Sequence, residues 1–516
     1  MPRTKRNAAP DELWQQAAEA LRRGDLDAAE SRARTLRARN PRHAGALHAL
    51  GLIEFQRGRA AEAVPLLREA LRFGPADPAA HFNLGIALHQ LGDSTAAVAS
   101  YRQAIALRPD FADAWSALSA SLLAASAFAE AADSARRALA FTPNLVAASA
   151  NLSLALKALG DERGALEIIL ACVRTNPTSG EAWFWMGQTL HLRGEVAAAI
   201  PAYEKAVALE PGHVLAHARL GAARLLRGDF AGGWPEYEWR LRSPGANPHR
   251  LAHPRWNGEA LTGRTILLRA EQGLGDAIQM LRYVEPVAAA AGGVLVEVGA
   301  ALLPLVPARP NVTAIERGAP LPAFDVYCPL FSLPLAFGTT LDTIPNQPYL
   351  RADPSRAQAW RAMIPPAGRG RRIGLVWAGS RHHQHDRERS LAFADLTPLI
   401  ARPEIAWFSL QVGAASAEAR DSGITDLGPR LRDFGETAAA ISHLDLVITV
   451  DTSVAHLAGA LGVPVWILLP HIPDWRWLLD REDSPWYPSA RLFREPTPGD
   501  WRAVVDTVGR ALAALV

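Results

Sequence analysis

Cysteine is scarce in this chain of 516 residues, which has only Cys172 and Cys328. Two thiols cannot form a disulfide framework or a cysteine-rich zinc site, and they favour a reducing compartment. An excess of one charge is also missing, because 54 Lys and Arg residues stand against 52 Asp and Glu residues. This balance gives no support for a nucleic acid as the main partner.

Long hydrophobic runs are missing as well. The basic N-terminus, MPRTKRNAAPDELWQQ, lacks the apolar core of a signal peptide. The strongly apolar run LGVPVWILLP near the other end has about half the length of a membrane span. We therefore expect no transmembrane segment and a cytoplasmic location.

The first half of the chain repeats with a period of 34 residues. The period is visible in six prolines: Pro41, Pro75, Pro109, Pro143, Pro177 and Pro211. A second column holds small residues: Gly51, Gly85, Ser119, Ser153, Gly187 and Gly221. Small residues let two antiparallel helices approach closely, and a proline ends the second helix. The pattern predicts stacked helical hairpins.

These hairpins resemble the tetratricopeptide repeat (TPR). The resemblance predicts an α-solenoid over residues 1–242, in which an atypical first unit containing Trp14 caps the array. Two further columns of the same period begin at Ala63 and Ala70 and hold mostly alanine. In the last unit their positions are occupied by Gly233 and Arg240, so we expect the array to end there. By analogy of fold, such an array binds a segment of a partner protein.

The second half has a different pattern. Residues 243–264 contain three prolines and three glycines without a period and are interpreted as a linker. Short apolar runs then alternate with helical stretches, which predicts parallel sheets. We expect an N-terminal Rossmann-like half at 265–350 and a C-terminal half at 351–516, so the fold class is an α-solenoid followed by α/β.

Three loops after predicted strands carry candidate site residues. In AEQGLGDAIQ, Gly273 and Gly275 permit a tight turn, and Asp276 either caps the next helix or has a catalytic or acceptor-binding role. A dinucleotide fingerprint would need a glycine where the chain has Ile278, so we do not favour NAD. Glu297, after the second strand, is the matching candidate for a ribose-binding acid.

The second loop is WAGSRHHQHDRERS. Gly379 and Ser380 follow a strand and offer an N–H group and a hydroxyl to a phosphate, with positive charge supplied by Arg389 and its neighbours. The alternative is a merely solvated basic loop. His382, His383 and His385 match no familiar metal-site spacing, so we predict no metal here.

The third loop is DTSVAHLAGALG. Thr452 and Ser453 lie four and three residues before His456, so on a helix they share its face. A helix N-terminus favours an anion, whereas Asp451 would repel a phosphate and suits a cap or sugar hydroxyls. The alternative is a capped core helix without a ligand.

The segment from PRWNGEALTGRTILLRAEQGLGD onward resembles the two-Rossmann (GT-B) glycosyltransferases of the heptosyltransferase type, family nine. The motif that usually reads Asp-Thr-Gly-x-x-His is matched by Asp451, Thr452 and His456, while Ser453 departs from it. The resemblance implies that Asp276 is the catalytic acid–base residue. The family's phosphate-binding lysine has no counterpart, and Arg389 is the nearest substitute.

The resemblance implies a metal-independent glycosyltransferase with a nucleotide-sugar as substrate and no further cofactor. The single Asp-x-Asp pair, Asp25 and Asp27, lies inside the repeats. The metal-binding Asp-x-Asp motif of the other large glycosyltransferase fold is therefore absent from the second half. The whole chain resembles bacterial TPR-containing glycosyltransferases, some of which modify proteins such as flagellin. We therefore expect an acceptor protein, flagellin-like or on the cell surface, held by the repeats. The alternative is a TPR scaffold whose degenerate domain binds a nucleotide-sugar without turnover.

Overall fold

The computed structural model describes residues 10–243, 251–366, 370–380 and 386–515. The chain forms two compact units, one of residues 1–193 with 201–211 and the other of residues 194–200 with 212–516. The layout is an array of paired helices followed by parallel sheets, as the sequence predicts.

Residues 10–237 form fourteen helices in which lengths of 13 and 14 residues alternate until the last pair. Their bounds are α1 Pro10–Arg22, α2 Leu26–Arg39, α3 Ala44–Gln56, α4 Ala60–Phe73, α5 Pro78–Gln90, α6 Ser94–Leu107, α7 Ala112–Ala124, α8 Phe128–Phe141, α9 Val146–Ala158, α10 Glu162–Thr175, α11 Gly180–Leu192, α12 Val196–Leu209, α13 Val214–Leu226 and α14 Phe230–Tyr237. Each predicted proline follows the second helix of a pair, where the helix must end.

The small-residue column marks close contacts between paired helices. A Cβ atom at Gly85 would lie 2.5 Å from the Tyr101 ring, and one at Gly51 would lie 2.7 Å from Leu67. Where the column holds Ser119, its hydroxyl donates to the carbonyl of Ala131 at 2.7 Å. The predicted role of these positions in helix packing is confirmed.

The described residues of the C-terminal region form ten strands in two parallel sheets. The strands are β1 Thr265–Arg269, β2 Gly293–Val298, β3 Val312–Glu316, β4 Val326–Pro329, β5 Arg371–Val376, β6 Ile405–Ser409, β7 Thr425–Asp426, β8 Leu446–Val450, β9 Val465–Leu469 and β10 Ala490–Arg494. The helices are α15 Leu274–Met280, α16 Val284–Ala290, α17 Leu333–Ala336, α18 Pro354–Trp360, α19 Asp386–Arg389, α20 Thr397–Ile400, α21 Phe434–Ile441, α22 Ser453–Leu461 and α23 Trp501–Ala513.

The strand orders are those of doubly wound folds. The first sheet runs β3-β2-β1-β4 and the second β7-β6-β5-β8-β9-β10, so the crossovers reverse between β1 and β4 and between β5 and β8. Every residue of β8 and β9 is buried, because helices cover both faces of a parallel sheet. Ligands in such folds bind outside the carboxyl ends of the strands at the point of reversal. The loops after β1, β5 and β8 all begin there.

The last repeat packs within the same compact unit as the sheets. Trp234 of α14 is 3% exposed, and its indole Nε1 donates to the carbonyl of Thr339 at 2.9 Å. Arg240, in the short 3-10 turn after α14, pairs with Glu271 of the β1–α15 loop at 2.9 Å. The sequence places a domain boundary at residue 242, whereas these contacts join residues 212–242 to the sheets. The described part of the predicted linker lies along the first sheet, where the N–H of Trp256 donates to Tyr327.

Candidate functional site

The turn after β8 presents an uncapped helix N-terminus. Thr452 is the N-cap residue of α22, but its side chain makes no capping hydrogen bond; its hydroxyl lies 2.9 Å from that of Thr449. Ser453, half-buried, is the first residue of the helix. The first N–H groups of α22 therefore have no side-chain cap, unlike those of an ordinary core helix. An N-terminus of this kind favours an anion.

Asp451 precedes this turn and is half-buried. Burial raises the pKa of Asp451 to about 6, and the charge of Asp474 adds to the rise. Arg476 and Arg389 act in the opposite direction. Asp451 does not cap α22, since Thr452 holds that position. A carboxyl with this pKa exchanges protons near neutral pH, which is a common property of functional sites.

His456, one turn into α22, is only 4% exposed. Its Nδ1 lies 2.9 Å from the Tyr487 hydroxyl, and its ring stacks on Trp477 with centroids 5.3 Å apart. Gly275 of α15 packs against the same ring, because a Cβ there would lie 2.8 Å from His456 Cδ2. A glycine at 275 thus allows α15 and α22, which belong to different sheets, to meet at the imidazole.

The charges around His456 are positive. Burial lowers the pKa of His456 well below its usual value, and three guanidinium groups lower it further: Arg476, Arg282 and Arg389. The imidazole is therefore neutral at pH 7. A neutral imidazole among three cations is suited to hydrogen bonding with an anion or a sugar hydroxyl, while the cations supply the positive field.

Asp276 of α15 is held at both carboxylate oxygens. Oδ2 accepts the N–H of Gly273 at 2.8 Å, and Oδ1 contacts Nη2 of Arg476. Asp276 thus takes part in capping α15, which is the predicted alternative to a catalytic role. It also pairs with Arg476, one of the three cations around His456. Its side chain is 22% exposed, so solvent and a ligand can reach it.

The loop after β5 also reaches the turn after β8. Nη1 of Arg389 donates to the carbonyl of Asp451 at 3.0 Å. The N–H of Gly379 donates to the Ser390 hydroxyl at 2.9 Å, so this N–H is already engaged. Ser380 is exposed at the end of the described segment. Arg381 and the three histidines at 382, 383 and 385 lie outside the described residues.

The dinucleotide alternative finds no support in the first half. Ile278, at the position of the missing glycine, is fully buried. Glu297, the candidate ribose-binding acid, is 2% exposed and pairs with Arg269 at 2.6 Å. Its carboxylate is therefore occupied by an ion pair between neighbouring strands.

Sequence reasoning missed the charges of the C-terminal tail. Arg476 joins Asp276 and Asp474, and the Tyr487 hydroxyl contacts His456. One signal was present: in DWRW an arginine stands between two tryptophans. Trp475 and Trp477 are 4% and 0% exposed, and Arg476 between them is buried with them. A charged residue in a segment of buried aromatics needs a partner.

Comparison with known proteins supports both parts of this architecture. Tetratricopeptide repeat profiles match residues 15–78, 54–121 and 180–213. The profile of glycosyltransferase family 9 (heptosyltransferase) matches residues 410–469, which include β8 and α22. The N-terminal region therefore contains TPR repeats, and the C-terminal segment is similar to family nine glycosyltransferases.

One curated relative matches more than two thirds of the chain. Protein FlbA of Caulobacter vibrioides is 26% identical over 422 residues, covering 69% of this chain and 70% of that protein. Among solved structures, a TPR protein of Parabacteroides merdae is 17% identical with a TM-score of 0.41, covering 46% of this chain and 94% of that one. A thermophilic TPR protein of Thermus thermophilus is 22% identical with a TM-score of 0.31, covering 33% and 93%.

Two properties of the described residues concern membranes and metals. None of their helices is both long and apolar enough to cross a bilayer. Within the same residues, no three His, Cys, Asp or Glu side chains are grouped so that they could hold a metal ion.

Proposed function

We propose that this protein is a glycosyltransferase of the GT-B type that transfers a sugar from a nucleotide-activated donor to an acceptor protein. The observation that carries the proposal is the close packing of two helices from different halves. Helix α15, which follows β1 and bears Asp276, meets the start of α22, which follows Asp451 and Thr452 and bears Ser453 and His456. A transferase with two substrates needs groups for the donor phosphate and for the acceptor proton in one place.

In this mechanism the N-terminus of α22 and Arg389 stabilise the charge that develops on the departing nucleotide phosphate. The hydroxyls of Thr452 and Ser453 add hydrogen bonds, and the neutral His456 donates or accepts one more. Gly273, Gly275, Gly379 and Ser380 shape the loops around the substrates. The reaction needs no metal in this scheme, because protein dipoles and cations oppose the leaving-group charge.

Asp276 is the general base in this scheme and takes the proton from the acceptor hydroxyl. Each of its oxygens has one protein partner and keeps a further lone pair for the acceptor. The acceptor is a protein segment, flagellin-like or from the cell surface, held by the repeats. The reaction takes place in the cytoplasm, where the two buried, unpaired cysteines stay reduced.

The test measures nucleotide release from UDP-, GDP-, CMP- and ADP-activated sugars, together with the intact mass of surface and flagellar proteins with and without the gene. A mass increase of one sugar that depends on the gene and on Asp276 supports the proposal. We expect Asp276→Asn to lower turnover by ~10²–10⁴-fold while nucleotide binding persists. Nucleotide binding without turnover or modification in the wild type would replace the proposal with the scaffold alternative.

A further inference from the structure

Arg476 connects the tail of the chain to the helix that carries the proposed base. Its side chain is 8% exposed, and its Nη2 contacts Oδ1 of Asp276. Its Nε donates to Oε1 of Gln279 at 2.7 Å, and its Nη1 donates to Asp474 at 2.5 Å. Asp276 and Gln279 are three residues apart on α15, so they share a face of the helix. The planar fork of Arg476 therefore holds that face at two points.

The position of the guanidinium is set by three separate elements. Its Cζ atom lies 4.9 Å from the ring centre of Trp475 and 5.1 Å from that of Phe331, which follows β4. Tyr237 of the last repeat completes the enclosure, with its ring 5.9 Å from Trp475 and 6.3 Å from Phe331. Aromatic faces attract a cation and restrict its movement.

The guanidinium stays charged in this enclosure. Burial lowers the pKa of Arg476, but the carboxylates of Asp276 and Asp474 outweigh burial and raise it overall. Arg476 thus offers a permanent positive charge and fixed donors to Asp276. The opposite oxygen of Asp276 is held by the N–H of Gly273. With both oxygens held, the carboxylate cannot rotate away from one orientation.

We propose that Arg476 is a positioning residue that fixes the Asp276 carboxylate in the orientation in which it accepts the acceptor's proton. This inference rests on the proposed function. Arg476 touches neither substrate in this scheme and acts on the reaction only through Asp276. A correctly oriented base lowers the barrier because the cost of orienting it is met during folding and not during reaction.

The experiment is a double-mutant cycle in the full chain. Nucleotide release from the same panel of UDP-, GDP-, CMP- and ADP-activated sugars gives kcat and KM for each variant. The single variants are Arg476→Met, Arg476→Lys and Asp276→Asn. The two double variants combine Asp276→Asn with each of the changes at position 476. Arg481→Met is the matched control, because Arg481 makes a more exposed ion pair with Asp483 in the same tail. Thermal melts of every variant report folding.

We expect Arg476→Met to lower kcat by ~10²-fold, the lower end of what a general base contributes, with donor KM within about threefold of the wild type. Arg476→Lys should recover part of that loss, since it keeps the charge without the fork. In the Asp276→Asn background, either change at 476 should lower kcat by less than about threefold, because the effects of residues that act as one unit do not add. Arg481→Met should leave kcat unchanged.

Other outcomes overturn the inference in distinguishable ways. Equal losses from the 476 substitutions in both backgrounds would show that Arg476 acts independently of Asp276. Full turnover in Arg476→Met, with Asp276→Asn inactive, would remove the positioning role and leave the proposed function intact. Absence of turnover in the wild type would overturn both. If Arg476→Met does not fold, because it leaves the carboxylates of Asp276 and Asp474 without their ion-pair partner, the lysine variant carries the cycle alone.

Discussion

The last repeat is predicted to contribute to the stability of the C-terminal unit, and Trp234 is the residue that tests this. It is 3% exposed and packs edge-on against Trp475, with centroids 5.3 Å apart, and against Phe230 at 5.2 Å. Truncating a buried tryptophan to alanine costs ~3–5 kcal/mol. The carbonyl of Thr339 also loses its donor, which adds ~1 kcal/mol. We expect Trp234→Ala to destabilise the unit by about 4 kcal/mol or more.

The assay compares urea unfolding of two fragments, residues 194–516 and 243–516, by circular dichroism and tryptophan fluorescence. We expect the longer fragment to unfold cooperatively and Trp234→Ala to lower its midpoint. The shorter fragment should fail to fold, because it uncovers Trp475 and loses the ion pair between Arg240 and Glu271. Trp501→Ala is the matched control, since this half-buried tryptophan lies in α23 of the same fragment and packs against the core of the second sheet.

Two results would refute the reasoning. One is a 243–516 fragment with the same unfolding midpoint as 194–516. The other is a Trp234→Ala change that destabilises residues 194–516 by less than about 1 kcal/mol, far below the value for a buried ring. Either result would mean that the last repeat only touches the sheets and that the boundary at residue 242 is also the boundary of folding.

Three further predictions concern the site itself. Asp451→Asn should raise the melting temperature at pH 7.5 and have little effect below pH 4. The reason is that a carboxyl whose pKa rises to about 6 on folding favours the folded state at low pH and loses that contribution as the pH rises through 6. Thermal melts from pH 4 to 8 test this sign. Thr452→Ala should change the free energy of unfolding by less than ~0.5 kcal/mol, because its side chain makes no capping hydrogen bond, whereas Asp500→Ala removes the side chain that caps α23 and should cost ~1 kcal/mol. Equal losses for the two variants in urea titrations would show that Thr452 does cap α22. Gly275→Ala should cost ~1–3 kcal/mol and weaken UDP, GDP and ADP binding in calorimetry, since the added Cβ presses on His456; unchanged stability and affinity would contradict the contact.

The sequence by itself determined the elements of both halves. A 34-residue period with small residues at the helix contacts leads to stacked hairpins, since only small side chains let paired helices approach. Apolar runs such as TILLRA and DLVITV lead to buried parallel strands, which β1 and β8 are. Because ligand loops follow the carboxyl ends of such strands, Asp276, Arg389 and the residues of DTSVAH could be selected from the linear chain.

Only the tertiary structure decided what those residues contact. Asp276 and Arg476 are 200 positions apart, and no local pattern predicts an ion pair at that separation. Thr452 has a side chain typical of a helix cap, yet its hydroxyl turns to Thr449, because the strand end offers a competing partner. The last repeat has the spacing of the array but packs with the sheets, because its aromatic residues meet the tryptophans of the tail. Periodicity specifies which face of a helix is buried, whereas the surface that covers this face depends on how the rest of the chain folds.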